Sequence, residues 1–236
     1  MSYSRGMLPH SARGLHWTER TGTTIVHLGM TGGIAVCSET VRDLERVLPE
    51  VCGMKHPPRV YVTGASCSGV STLGEALSRV FRVRHLDVDD YYWMPTNPPF
   101  VLKRPPEDRV RLIQGQQARA GGWVLTGSFI GWGDSLVSDV DLVIFLHTPT
   151  AVRMQRLETR EFERHGARIL KGGDMYEAHL AFKDWASRYD DPLFSGRNVA
   201  QHERWLMAQT APVLRLSGDA SIEGLVERVK AVISGR

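Results

Sequence analysis

The chain has 236 residues, 42% hydrophobic and 23% charged, which are the proportions of a folded protein and exclude a disordered one. Its formal net charge is +3 with no dense Lys/Arg run, so no nucleic-acid partner is expected. No apolar run approaches a bilayer span and the N-terminus has no apolar signal core, while the three cysteines, Cys37, Cys52 and Cys67, match neither a zinc spacing nor a disulfide framework; a cytoplasmic setting with no membrane partner is expected.

In chain order, residues 1–53 are expected to form an N-terminal extension and 54–236 the main domain. Residues 1–13 are polar and expected to be disordered. TTIVHLGMTGGIAV (23–36) predicts a strand, a Gly-rich turn and a second strand. From Ser38, a possible N-cap, the spacing of Val41, Leu44, Val47 and Leu48 predicts a helix. His56-Pro57-Pro58 then breaks the chain, and Met54 just upstream is the expected natural start, which makes the preceding segment an appendage or an over-extended start. HLGMTG (27–32) looks like a short piece of formamidopyrimidine-DNA glycosylases. Those enzymes use an N-terminal Pro-Glu, and this chain begins Met1-Ser2-Tyr3, so the match is read as chance.

The stretch RVYVTGASCSGVSTLGEALSRVF (59–81) organises the rest. Val60, Tyr61 and Val62 predict a strand, and Val70, Leu73, Leu77, Val80 and Phe81 predict one face of a helix. Between them, Gly64 and Gly69 have G-x-x-x-x-G spacing and Ser71-Thr72 follow. In a strand–loop–helix context this pattern cradles phosphate on backbone N–H groups and the positive end of the helix, with a hydroxyl placed for Mg2+. Val70 stands where such loops carry lysine, so the side-chain cation that reaches the β- and γ-phosphates is missing.

A second strand is predicted over 85–88, ending in Asp87, Asp89 and Asp90. Carboxylates at that strand end either hold Mg2+ and orient an acceptor hydroxyl or serve as an N-cap and turn cluster. The Pro-rich, aromatic loop of 94–106 either covers a substrate or packs on the core. A helix opens at Glu107-Asp108, as its dipole favours. Trp123–Thr126 predicts a third strand, and the small residues from Gly127 to Gly131 leave room for an acceptor to approach the backbone. The apolar run 141–146 predicts a strand buried on both faces. After Pro149, a helix carries Arg156, Arg160, Arg164 and, beyond it, Arg168 at four-residue spacing, either a solvated stripe or a set that meets phosphates. Helices are predicted over 174–188 and 199–208, with Trp185 and Trp205 as core anchors. A fifth strand follows at 213–216, a loop at Ser217-Gly218-Asp219, and a closing helix over 222–232. The alternation predicts an α/β, three-layer α/β/α fold with a five-stranded parallel sheet.

On GASCSGVST, HLDVDDYYW and DLVIFLHTPTAVRMQRLETR, residues from about 59 to 235 resemble small P-loop kinases of the adenylate kinase and shikimate kinase type. They resemble more closely a bacterial group described as adenylate kinase or AAA family ATPase, whose loop reads GASGSGTST and likewise has no lysine. That resemblance implies a kinase that uses ATP and Mg2+ and transfers the γ-phosphoryl group to a small-molecule or nucleotide acceptor. Gly64, Ala65, Ser66, Cys67, Ser68, Gly69, Val70, Ser71 and Thr72 would hold the triphosphate, with Ser71 and Asp87 on Mg2+. Arg156 would lie over the adenine beside Gly218, Arg160 would contact phosphate with Arg164 or Arg168 assisting, and Asp89 would face the acceptor. Cys67 takes the place of a usual glycine and needs a compatible backbone angle. The Asp-Gly-Phe-Pro-Arg acceptor grip of adenylate kinases is replaced here by Gly127-Ser-Phe-Ile-Gly131. The alternative function is a nucleotide-binding module without catalysis. A monomer or small homo-oligomer is expected.

Overall fold

A computed structural model describes residues 56–235 and, before them, a short ribbon in which Glu19–Arg20 pairs antiparallel with Thr23–Thr24. The chain divides into two units, Met1–Val51 and Cys52–Arg236. The disorder expected in 1–13, the remainder of the 23–36 strand pair, the helix from Ser38, the HLGMTG piece, Cys37 and Cys52 lie outside the described residues.

The second unit opens with β1 (Arg59–Gly64) and α1 (Val70–Phe81). Then come β2 (Arg84–Asp87), the short α2 (Val88–Tyr92), α3 (Pro106–Ala120) and β3 (Trp123–Thr126). The chain continues through β4 (Leu142–His147), α4 (Thr150–His165), α5 (Tyr176–Ser187) and α6 (Val199–Met207). It closes with β5 (Val213–Ser217) and α7 (Ile222–Ser234). The five strands form one parallel sheet in the order β2-β3-β1-β4-β5. Among the described residues no helix is long and apolar enough to cross a membrane.

Period-two alternation along the central strand makes the layers. Val60 and Val62 join Leu73 and Leu77 of α1, Ile144 of β4 and Leu225, Val229 and Ile233 of α7 in one core. Tyr61 faces the opposite way, into a second core with Ile113 of α3, Phe129 and Leu206 of α6. The sheet is therefore covered on both faces, as parallel sheets require. Helix α1 turns Val70, Leu73, Gly74, Leu77 and Phe81 inward. Val80, read from spacing as part of that face, is 46% exposed; it falls at the margin of the buried stripe, where a helix three turns long has drifted off its neighbour.

Gly74 shows how closely α1 is pressed onto the sheet. A Cβ there would meet Thr126 Cγ2 at 2.1 Å and His85 Nε2 at 2.9 Å. His85 Nε2 and Thr126 Oγ1 share a 2.9 Å hydrogen bond beneath the helix. Gly74→Ala removes a helix-interior glycine, which alone gains about 1 kcal/mol. Here overpacking, which costs roughly 1–3 kcal/mol, is expected to win. Urea unfolding of the variant should show a lower midpoint, and an unchanged or raised midpoint would contradict this packing.

Candidate active site

β1 is the middle strand, and it ends against its neighbour. A Cβ on Gly64 would come within 2.4 Å of the Leu146 carbonyl oxygen and 2.7 Å of Ser68 Oγ. The chain then folds back on itself. Ser68 Oγ and Ser68 N–H both donate to the Ala65 carbonyl, at 2.8 and 3.2 Å. Thr148 Oγ1, from just beyond β4, donates to the Ser68 carbonyl at 3.0 Å. Gly69, the N-cap of α1, has φ +98°, and no side chain caps the helix. Cys67 also takes a left-handed angle, φ +63°, which costs an L-residue about 1–2 kcal/mol. The strain has a consequence: among the described residues, the amides of Ser66, Cys67, Gly69, Val70, Ser71 and Thr72 donate to no protein acceptor. Val70 itself is 8% exposed and packed in the first core.

Just below this row of amides, Ser71 Oγ donates to Asp87 Oδ2 over 2.6 Å. The second oxygen of Asp87 accepts from the Asp89 N–H at 3.0 Å and caps α2. Asp87 thus serves both as a helix cap and as the partner of the loop hydroxyl. No group of three or more His, Cys, Asp or Glu residues suited to a metal occurs among the described residues. One hydroxyl and one carboxylate form a sparse, all-oxygen set. It fits Mg2+, which keeps several waters and takes its other ligands from phosphate.

On the far side of the loop, Arg156 Nη2 donates to the Gly218 carbonyl at 3.0 Å, and Arg156 Nη1 lies 3.8 Å from where a Gly69 side chain would begin. Gly218 has no room for a side chain: a Cβ would meet Thr148 Oγ1 at 2.0 Å and the Ser68 carbonyl oxygen at 2.6 Å. Ser66 to Gly69, Arg156 and Gly218 therefore form one continuous rim. Arg160 donates twice to Glu161 Oε1, at 3.3 and 3.0 Å, and lies close enough to Asp89 to act on its ionisation. Arg164 is exposed and makes no hydrogen bond or ion pair among the described residues. Arg168 is held in a two-pronged pair with Asp174 and reaches Asn97 at 3.3 Å.

Asp89 reaches solvent, yet protein crowds its carboxyl on most sides. That crowding raises its pKa, Asp87 raises it further, and Arg197 and Arg160 pull it back. Arg197 lies just before α6. It is half-buried, its Nε is closed off from solvent with no partner, and Trp185 lies under its guanidinium at 5.0 Å. A lone arginine between Gly196 and Asn198 belongs to no periodic pattern, so the sequence carries no signal for it. His202 lies on the buried side of α6. It is fully buried, shares a 2.5 Å hydrogen bond with Tyr189 through Nδ1 and a 3.4 Å contact with Thr63 Oγ1 through Nε2.

Two expectations change. Gly127 does not open space for an acceptor: at φ +109° it packs against Val88, whose Cβ would be 2.9 Å from an added Cβ, while Gly131 faces open space. Trp205 is a core anchor, edge-on to Tyr61 and Phe129, but Trp185 is not. It is only partly buried, stacks on Phe182 and carries Arg197 instead. The 94–106 loop closes on itself through Met94 N–H to the Leu102 carbonyl and Arg104 N–H to the Tyr92 carbonyl, both 2.8 Å, and leaves Phe100, Val101 and Leu102 exposed. It borders a cavity of about 370 Å3 with Asp90 and Arg104, and a second cavity of about 280 Å3 lies along α4 at Arg156 and Arg160.

A five-stranded parallel α/β/α sheet with a glycine-bounded loop between its central strand and the following helix places this chain in the P-loop fold class. It belongs to the family of YqaC from Bacillus subtilis (strain 168), with which it is 41% identical over 175 residues, 74% of this chain and 97% of that protein. No family model matches the chain. Solved structures similar to it include a shikimate kinase from Bacteroides thetaiotaomicron, at 19% identity over 75% of this chain and 98% of that one with a TM-score of 0.44. A gluconokinase from Sinorhizobium meliloti 1021 is 16% identical over 76% and 93%, with a TM-score of 0.42.

Burial holds the His202 pKa down to about 3, against about 6.5 in an unfolded chain. The unfolded chain therefore takes up a proton that the folded one refuses. This part of the stability is complete above the ordinary histidine range and drains away as pH falls toward 3. The urea midpoint should drop steadily between pH 7 and 4, with a shallower slope in His202→Gln. Equal slopes in the two proteins would assign the acid sensitivity to other groups.

Proposed function

We propose that this protein is a kinase that transfers the γ-phosphoryl group of ATP to a small-molecule acceptor, in the space between the glycine loop and Asp89. The observation that carries the reading is the row of unpaired amides from Ser66 to Thr72 ending at the Ser71–Asp87 pair. Unpaired donors that converge at a helix N-terminus suit the triphosphate tail. Ser71 and Asp87 would hold Mg2+, whose charge neutralises the phosphates when bound. Arg156 and Gly218 form the rim on which the base would lie.

Asp89 is the proposed general base. It takes the proton of the acceptor hydroxyl as that oxygen bonds to the γ-phosphorus, while the bond from phosphorus to the bridging oxygen breaks and ADP leaves. Its raised pKa suits this role, since a base works best near the operating pH. Arg160 is the proposed cation for the transferring group, and Arg164, exposed on the same helix, a second one that moves in with the nucleotide. We assign the acceptor to this side rather than to the cavity by Asp90 because Arg197 and Arg160 both act on Asp89.

A second reading, a nucleotide-binding module without catalysis, is favoured by one observation: Val70 occupies the lysine position and is packed in the core. ATP-Mg2+ with a panel of nucleotides and small hydroxylated metabolites separates the two. Turnover in the wild type, lost about 100-fold or more in Asp89→Asn and Arg160→Ala, supports the kinase. Nucleotide binding with no turnover, and turnover gained in Val70→Lys, supports the module. For the kinase, kcat/KM should rise with pH through an ionisation above the usual carboxylate range. A profile flat from pH 4 to 8 would remove Asp89 from the mechanism.

A further inference from the structure

Glu161 follows Arg160 directly on α4 and is buried. A buried carboxylate needs partners, and among the described residues Glu161 has one close partner. Its Oε1 accepts from Arg160 Nε and Nη2, at 3.3 and 3.0 Å. Its other oxygen, Oε2, faces His165 Nε2 across 4.0 Å, too far for a hydrogen bond, and that nitrogen is closed off from solvent without a partner. Consecutive residues on a helix point about 100° apart and do not ordinarily meet. Arg160 therefore bends back along its own helix to make this pair, at a cost in rotamer freedom. Of the two side chains it is Arg160 that reaches solvent, 33% exposed against 11% for Glu161.

The pair decides which side of Arg160 stays free. A guanidinium holds five N–H donors in a rigid fork. Glu161 takes the edge formed by Nε and Nη2, and the ring of Phe182, on α5, lies against the group at 5.9 Å. The edge formed by Nη1 and the second hydrogen of Nη2 has no partner among the described residues. Arg156 stands one turn earlier on the same helix face and holds the Gly218 carbonyl at the rim of the glycine loop. Both arginines line one cavity of about 280 Å3.

We infer that Glu161 is a positioning residue: it holds one edge of Arg160 so that the other edge is presented, already ordered, to the γ-phosphate of a bound nucleoside triphosphate. The inference rests on the kinase reading for the identity of the ligand. Two N–H groups on one edge of a planar fork match two phosphate oxygens. A long side chain fixed before the ligand arrives loses less freedom on binding. Because Glu161 is buried behind the arginine it orders, the guanidinium is the charge that the ligand space meets.

Calorimetric titration of the full chain with Mg2+ and two probes, ADP and the non-hydrolysable ATP analogue AMP-PNP, isolates the γ-phosphate: the ratio of the two affinities is its contribution. The wild type should bind AMP-PNP more tightly. Arg160→Ala should lower the ratio about 10-fold, the scale of a lost charge-assisted hydrogen bond. Glu161→Ala should lower it by about 3- to 10-fold, because the ligand must then order one long side chain itself. Glu161→Gln, which keeps the volume and an oxygen for the two N–H groups, should lower it less. In an Arg160→Ala background, Glu161→Ala should change the ratio by no more than about twofold, since it acts through that guanidinium. A purely structural role at the end of α4 would instead weaken both nucleotides together and add to the loss in that background. An unchanged ratio in Glu161→Ala, an equal loss without Arg160, or a wild type that binds the two nucleotides equally would each overturn the inference and leave the kinase reading standing. A wild type that binds neither nucleotide would overturn both.

Discussion

The second unit depends on one steric constraint: the central strand must end with its backbone against the backbone of its neighbour. β1 is hydrogen-bonded on both sides, to β3 and β4, so the chain can leave only through the crevice at the strand's carboxyl end. At Gly64 there is no space for even a methyl group beneath the Leu146 carbonyl. The turn that follows bonds to itself at Ser68 and is tied down by Thr148. Its amides, turned outward by the left-handed Cys67 and Gly69, are thereby left without protein partners. The proposed anion site would thus be a by-product of how the chain escapes from a crowded strand. The tolerance of cysteine at 67 shows that the surrounding bonds over-determine the turn.

The same crowding assembles the rest of the rim. Gly218 is excluded from carrying a side chain by Thr148 and Ser68, which brings the loop after β5 against the loop after β1 and gives Arg156 a carbonyl to hold. Asp87, at the end of β2, lies two strands away from β1 in the sheet, yet α1 starts low enough for Ser71 to reach it. In parallel sheets the strand ends converge on one crevice. Here they bring Asp87 to Ser71 on one side of the loop and Arg156 to Gly218 on the other.

The chain also keeps two kinds of buried polar group. Arg153 is satisfied: its guanidinium donates to the carbonyls of Thr148 and Ala186 and to Thr150 Oγ1, and it lies near Asp190 and Tyr189. It locks the start of α4 to the end of α5. His202, neutral between Tyr189 and Thr63, does the same for α6 and the central strand. Arg197 is of the other kind, half-buried, with its Nε closed off from solvent and without a partner.

The sequence alone determined the elements of the second unit and the loop. Apolar runs such as LVIFL and the 3.6-residue spacing of α1 are local consequences of burial on two faces or one, and G-x-x-x-x-G followed by Ser-Thr is a local backbone requirement. It also singled out Asp87, Asp89, Arg156 and Arg160 as candidates, because each stands beside a strand end or on a regular helical stripe. Only the tertiary structure decided which of these groups were already engaged. Gly127 turned out to be filled by Val88 and Trp185 to lie outside the core, and Arg197 came into view only where the fold sets it on Trp185. A residue's spacing records the secondary structure it belongs to. Whether its polar atoms find partners depends on residues many positions away in the chain, and no local pattern carries that information.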